Sequence, residues 1–176
     1  RSVRRSETFY RGNEGEEKAQ WTFNYNFNGD QVRTATHFEY EDGEGRLLRS
    51  TTWRVNPVKI SPDDAFNSGD TIQFDAQAGK FYLLRTSADG QTWSSVSIVA
   101  ADVDGQMTIA MPHGFYQVLR LDLGAIRSTT VYEGDEGEEL ASRTCAYDFT
   151  GSYVKTTTLF KYEGDTLTDS IVYRGD

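Results

Sequence analysis

The sequence predicts an all-β protein, an antiparallel up-and-down β-barrel with an internal four-stranded repeat. Three observations carry that prediction. Aromatic residues make up 13% of the 176 residues while Met occurs only twice, a bias toward half-buried pleated strands. Gly is frequent, with 16, and Pro is rare, with 3, which suits many tight hairpins. Most telling, one segment occurs twice: residues 5–43 and 127–165 align at a constant offset of 122, and 20 of the 39 positions are identical. A two-residue gap then brings Leu47, Ser50 and Arg54 opposite Leu167, Ser170 and Arg174.

The two copies can be read against each other. Val32, Thr34, Thr36, Phe38 and Tyr40 match Val154, Thr156, Thr158, Phe160 and Tyr162. These are alternate residues, so they share one face of a strand. The intervening residues differ: Arg33, Ala35, His37 and Glu39 against Lys155, Thr157, Leu159 and Lys161. The matched face is expected to point inward and the varied face outward. On the preceding strand Ala19, Tyr25 and Phe27 match Ala141, Tyr147 and Phe149. Asn28-Gly29 and Thr150-Gly151 read as two-residue hairpin turns, and Gly43 and Gly164 mark the next reversals. Each copy is therefore a four-stranded meander, over 6–11, 19–27, 31–40 and 47–55, then 127–133, 140–149, 153–162 and 166–174.

Between the copies, Pro57, Pro62 and Asp63-Asp64 interrupt the pattern. Ser61 to Phe66 could form one helical turn, with Ser61 as its cap and Pro62 at the first position. Strands resume at 70–75, 80–87, 92–100, 106–111 and 115–122, with turns at Ala88-Asp89-Gly90 and Asp104-Gly105. About thirteen closely spaced strands suit a barrel or sandwich, and meander connections favour the barrel. A single domain over 1–176 is expected, with repeat units 5–54 and 127–174 and middle strands over 70–122, because a lone meander would leave an apolar face and two open edges. The alternative is one barrel-sized unit followed by the start of another.

Charge and composition narrow the function. A net charge of −9 disfavours duplex nucleic acid as a partner. The basic cluster Arg1, Arg4 and Arg5 reads as an exposed end. Cys145 is the one cysteine, so no internal disulfide forms, which fits a reducing compartment such as cytoplasm or plastid stroma. No apolar stretch approaches the ~20 residues that span a bilayer. The chain opens on Arg1 rather than Met, which leaves room for a preceding segment.

Catalytic groups are sparse. His37 lies opposite Leu159 on the varied face and is expected at the surface; His113 falls in the turn Met111-Pro112-His113-Gly114-Phe115. Neither sits in a nucleophile elbow. Two histidines and one cysteine make no zinc spacing. The acidic turns at 13–17 and 135–139 lack the alternating ligands of a calcium loop and read as solvated hairpin tips. Phosphate loops and dinucleotide fingerprints are absent. The expectation is a protein that is not an enzyme, with no catalytic residue, metal or cofactor assigned, and with Cys145, opposite Phe23, as a buried inert thiol.

The candidate ligand-binding residues are those of the expected interior: Thr34, Thr36, Phe38, Tyr40, Thr156, Thr158, Phe160 and Tyr162, together with Arg120. Thr and Tyr hydroxyls could orient a ligand in a mainly apolar cavity. Arg54, Arg120 and Arg174, near strand ends, could each meet a carboxylate. The plainer alternative is that these hydroxyls and guanidinium groups satisfy one another.

Two stretches carry a family resemblance. Phe38-Glu39-Tyr40-Glu41-Asp42-Gly43 runs on to Thr52-Trp53-Arg54, and Phe115-Tyr116-Gln117-Val118-Leu119-Arg120-Leu121 is followed by Ile126-Arg127-Ser128. The pattern resembles the calycin superfamily of lipocalin and fatty-acid-binding barrels, and more narrowly a cyanobacterial and plastid family that includes a chloroplast ATP synthase biogenesis factor. The Gly-x-Trp start of lipocalins is missing. The resemblance implies a non-enzymatic barrel from a phototroph and carries over no catalytic residue. The expected function is a binding or scaffold module that assists assembly of a larger, photosynthetic protein complex through protein partners. The alternative is a lipocalin-like carrier or chaperone of a small apolar ligand such as a fatty acid, carotenoid or bilin.

Overall fold

A computed structural model of the chain describes residues 3–43, 45–63 and 65–175. Arg1 of the basic cluster and Asp64 of the interrupting loop lie outside the described residues. The protein is all-β. Its strands are β1 (Ser6–Arg11), β2 (Lys18–Tyr25), β3 (Val32–Tyr40), β4 (Leu47–Lys59), β5 (Phe66–Asn67), β6 (Thr71–Ala76), β7 (Phe81–Ser87), β8 (Ser94–Ala100), β9 (Gly105–Ala110), β10 (Gly114–Glu133), β11 (Leu140–Tyr147), β12 (Val154–Glu163) and β13 (Thr166–Arg174). All the pairings with a defined register are antiparallel.

The main sheet follows the hydrogen-bonded path β1-β2-β3-β4-β10-β11-β12-β13. Its end strands, β1 and β13, are not paired to each other, so the sheet stays open and the expected closed barrel does not form. Three local expectations also change. The described residues of 61–66 form no helical turn; Phe66–Asn67 instead forms β5, which pairs with Gly114 and Phe115, and Asn67 Nδ2 donates to the Met111 carbonyl at 3.0 Å. The strands expected at 115–122 and 127–133 are one continuous β10 of 20 residues. Gly124, between the two expected strands, is not among the glycines with positive φ and continues the strand.

The third change concerns the hairpin turns. Asn26 Oδ1 accepts the backbone N–H groups of Asp30 and Gln31 at 3.1 and 3.3 Å, and Asp148 Oδ1 does the same for Ser152 and Tyr153 at 3.0 and 3.3 Å. These side chains start the turn early and lengthen it beyond two residues. Phe27 and Phe149, expected inward, therefore lie within the turns and are 81% and 74% exposed. Gly29 and Gly151 hold the left-handed positions, φ +69° and +77°, and a Cβ on either would come within 2.8 Å of neighbouring atoms.

The chain divides into two compact units, and the boundaries fall inside β1, β2, β3, β4 and β10. Unit 1 comprises residues 1–7, 24–33 and 55–123. Its core gathers Ile72, Phe74 and Ala76 of β6 with Tyr82 and Leu84 of β7, Ala101, Met111 and Val118 of β10. β6 alternates exposed and buried residues strictly, as a strand with one packed face must. β7 differs: Tyr82, Leu83 and Leu84 are all buried, so both of its faces are covered, in keeping with its unbroken apolar run Phe81-Tyr82-Leu83-Leu84. At the N-terminal end, Arg4 Nη2 donates to the Val96 carbonyl at 3.0 Å and Glu7 Oε1 accepts Ile98 N–H at 3.4 Å.

Unit 2 comprises residues 8–23, 34–54 and 124–176 and holds most of both repeat segments. The same contacts recur in each. Tyr40 donates to the Ala19 carbonyl and Tyr162 to the Ala141 carbonyl, both at 2.9 Å. Thr8 bonds Thr22 at 3.0 Å and Thr130 bonds Thr144 at 2.8 Å. Glu17 Oε2 accepts Gly15 N–H and Glu139 Oε2 accepts Gly137 N–H, both at 3.0 Å. Each of these pairs involves residues identical at the offset of 122.

Burial, in contrast, does not follow identity. On the varied face Ala35 and Thr157 are buried, although both were expected outward. Thr34, Thr36, Phe38 and Tyr40, and their counterparts Thr156, Thr158, Phe160 and Tyr162, are only half-buried. The copies keep the residues that make directional bonds. Packing on the other face tolerates exchange: Phe23 and Ala35 in one copy are replaced by Cys145 and Thr157, cross-strand neighbours whose Sγ and Oγ1 lie 3.8 Å apart. Cys145 is buried, as expected.

His37 departs from the expected surface position. Its ring lies 4.6 Å from that of Trp21, which also approaches Trp53 at 6.0 Å. Burial lowers the imidazole pKa, with Glu39 pulling weakly the other way. A folded-state pKa below the unfolded value near 6.5 leaves stability intact above that pH and removes it as pH falls through the folded value. Replacing His37 by Leu, the residue at the equivalent position 159, is expected to flatten this acid-side loss. Urea midpoints between pH 7.5 and 5 measure it, and parallel pH profiles for the two proteins would contradict it.

Candidate interaction surface

Three clefts collect polar side chains. In unit 1 a cleft of about 790 Å³ is lined by Arg4, Asn28, Asp30, Arg85, Gln91 and Trp93 among others. Arg85 is 8% exposed. Its Nη1 donates to Gln117 Oε1 at 3.2 Å, its Nη2 lies 3.6 Å from Asp30 Oδ2, and its guanidinium sits 5.7 Å from the Trp93 ring centre. The buried Nε of Arg85 and Oγ of Ser95 have no hydrogen-bond partner. Burial lowers the pKa of this guanidinium and Asp30 opposes the shift. The site is a charge held indoors by one carboxylate and one aromatic face.

The second cleft of unit 1, about 350 Å³, has Phe74, Tyr82, Tyr116 and Val118 in its lining and Arg120 beside them. Arg120 lies inside β10 and is paired with a carboxylate of the chain itself. Nε and Nη2 donate to the two oxygens of Asp122, each at 2.8 Å, and Nη1 reaches Gln77 Oε1 at 3.4 Å. The forked pair lowers the Asp122 pKa and raises that of Arg120. A third cleft, about 750 Å³, lies in unit 2 among Arg11, Glu16, Glu17, Lys18, Asp42 and Glu136, where Lys18 pairs with Glu136.

Of the nine residues expected to bind a ligand, Arg120 alone lines one of these clefts. The other eight lie on half-buried strand surface in unit 2, and several of their hydroxyls are already engaged. Thr36 bonds Thr52 at 2.8 Å, and Tyr40 and Tyr162 hold backbone carbonyls. Arg54 sits over the Phe149 ring at 4.1 Å, and its Nε has no hydrogen-bond partner. His113 is exposed, 3.6 Å from Asp70 Oδ1.

The feature that residue-by-residue reading missed is a strand edge. Every residue of β13 is exposed, including Leu167 at 52%, Val172 at 62% and Tyr173 at 51%. Its pairing with β12 uses one edge; among the described residues no strand pairs with the other. β1, at the opposite end of the path, pairs among the described strands with β2 alone, and Tyr10 there is 64% exposed. Long exposed edges with apolar residues are templates for strand addition.

Comparison with protein-family models, curated proteins and solved structures finds no match. Fold and surface together define an antiparallel all-β protein with an open main sheet whose path ends on β1 and β13. Among the described residues no helix is long and apolar enough to cross a membrane.

Proposed function

We propose that this chain is a non-enzymatic binding module that assists assembly of a larger protein complex, with the free edge of β13 as its contact surface. The observation that carries the reading is the nine-residue β13, exposed throughout, with four large apolar side chains outside the core. Strand addition to such an edge gains main-chain hydrogen bonds for affinity and uses alternate side chains for selectivity. The calycin-like, up-and-down arrangement and the duplication of the four-stranded unit belong to the same proposal. The recurring Tyr–carbonyl, Thr–Thr and Glu–amide bonds support the duplication. A photosynthetic complex as the target rests on the resemblance of residues 38–54 and 115–128 alone.

The test is affinity capture from a phototroph extract with the native chain and with Val172→Lys, which puts a charge on the edge. The native chain is expected to retain a defined partner at physiological salt and the variant to lose most of it. Recovery of the native protein alone, or equal capture by both, overturns the assembly reading. The carrier alternative is favoured by one feature, the aromatic lining beside Arg120, and requires a fatty acid or carotenoid to compete there.

A further inference from the structure

We infer that the partner of the β13 edge is the β1 edge of a second copy of this chain, docked in the geometry that β4 and β10 already adopt within one copy. The inference rests on the assembly reading above and names its partner. The repeat makes the outer edges of β13 and β1 the two halves of a seam already formed once.

β13 is the counterpart of β4, and the two pair with their neighbours identically. Phe38 faces Ser50 and Phe160 faces Ser170; Thr34 faces Arg54 and Thr156 faces Arg174; Tyr40 faces Leu47 and Tyr162 faces Leu167 after the same irregularity. β1 is the counterpart of the last six residues of β10, since Ser6, Thr8 and Tyr10 match Ser128, Thr130 and Tyr132. The edge of β4 that continues the sheet meets β10. Among the described residues the equivalent edges of β13 and β1 pair with no strand.

Two side-chain bonds across the formed seam show what the free edges offer. Ser50 Oγ bonds Tyr132 OH at 3.2 Å, and Glu139 Oε1 accepts Leu47 N–H at 2.8 Å. The counterparts of all four residues are present: Ser170, Tyr10, Glu17 and Leu167. Glu17 is already set in place, its Oε2 accepting Gly15 N–H as Glu139 Oε2 accepts Gly137 N–H, and its Oε1 has no partner among the described residues. Ser170 and Tyr10 are exposed. A second copy would therefore repeat both bonds as Ser170 with the other copy's Tyr10 and Leu167 N–H with the other copy's Glu17, while covering Leu167 and Val172. Because the two surfaces differ, the contact is heterologous: two copies close it as a ring, or more copies continue it.

Two variants test this, each altering exposed residues of one side of the seam only: Leu167→Lys with Val172→Lys on β13, and Tyr10→Lys on β1 with Glu17→Lys in the turn before β2. Sedimentation velocity over a hundredfold concentration range is expected to show self-association of the native chain. Each variant alone is expected to sediment as a monomer with an unchanged far-ultraviolet spectrum. Mixing the two variants is expected to restore association, because one intact β1 edge and one intact β13 edge remain. That rescue separates loss of the seam from loss of folding. A native chain that stays monomeric throughout, variants that still self-associate, or a mixture that fails to recover would each overturn the inference. If the native chain is monomeric yet Val172→Lys loses a captured partner, the assembly reading stands and only the second copy is excluded.

Discussion

Truncation of Leu84 to Ala is expected to lower stability by about 2–5 kcal/mol, the range for buried Leu truncations. Leu84 is fully buried at the centre of β7, and it belongs to the unit 1 core with Ile72, Phe74, Tyr82 and Val118. The loss has two parts, the transfer free energy of the removed methyl groups and the cavity left among neighbours that cannot all collapse into it. β7 is hydrogen-bonded on both edges, to β10 and β8, so its backbone cannot shift far to fill the gap. The measurement is the denaturant midpoint at unchanged m value, with Leu167→Ala as the control. Leu167 is 52% exposed, and its truncation is expected to fall within about 0.5 kcal/mol. Equal losses at the two positions would mean that the core is not where β7 places it.

A second large effect is expected at Arg85, with an asymmetry between the two partners of its ion pair. Asp30→Asn keeps the shape of the side chain and should still accept from Asn26 Nδ2, which lies 2.6 Å from Asp30 Oδ1. It removes the one carboxylate beside a guanidinium whose side chain is 9% exposed. A buried charge stripped of its partner costs about 3–5 kcal/mol; the 3.6 Å separation and the 28% exposure of Asp30 place this case near the lower end. Arg85→Met is expected to cost far less or to stabilise, because it removes the charge and the orphaned Nε together while retaining apolar contact with Trp93. Chemical denaturation of both variants decides it. If Arg85→Met is as damaging as Asp30→Asn, the guanidinium contributes through packing or bonding rather than standing as a tolerated buried charge.

Much of the local structure was legible in the residues. β1 and β13 run over the spans that turn chemistry and alternation predicted, and most other strand ends shift by one or two residues. Where the reading failed, a specific interaction intervened. Asn26 and Asp148 captured backbone amides and drew the turns back from Phe27 and Phe149. The spans 115–122 and 127–133 joined through Gly124 into one strand. Phe66 and Asn67 found a strand partner in β10, which no window of local sequence contains.

The candidate site shows the same division more sharply. Matched residues between copies were read as an interior, yet the matched positions are those that bond across strands, Tyr40 and Tyr162 to carbonyls and Thr8 and Thr130 to facing hydroxyls. A directional bond needs one particular donor and acceptor, so those residues stay identical. A packed face needs only matched volume, so Phe23 with Ala35 can become Cys145 with Thr157 and both faces remain viable.

By itself, then, the sequence determined the all-β class and most of the strands along the chain. Those follow from backbone periodicity and turn chemistry, which act between residues near one another in the chain. Only the tertiary structure decided which face is covered, that Arg85 is buried beneath Trp93, and that β1 and β13 end the sheet without meeting. Alternation says that a strand has two faces but not what lies against each. Closure depends on how twist and stagger accumulate from strand to strand along the path, a sum that no local segment carries.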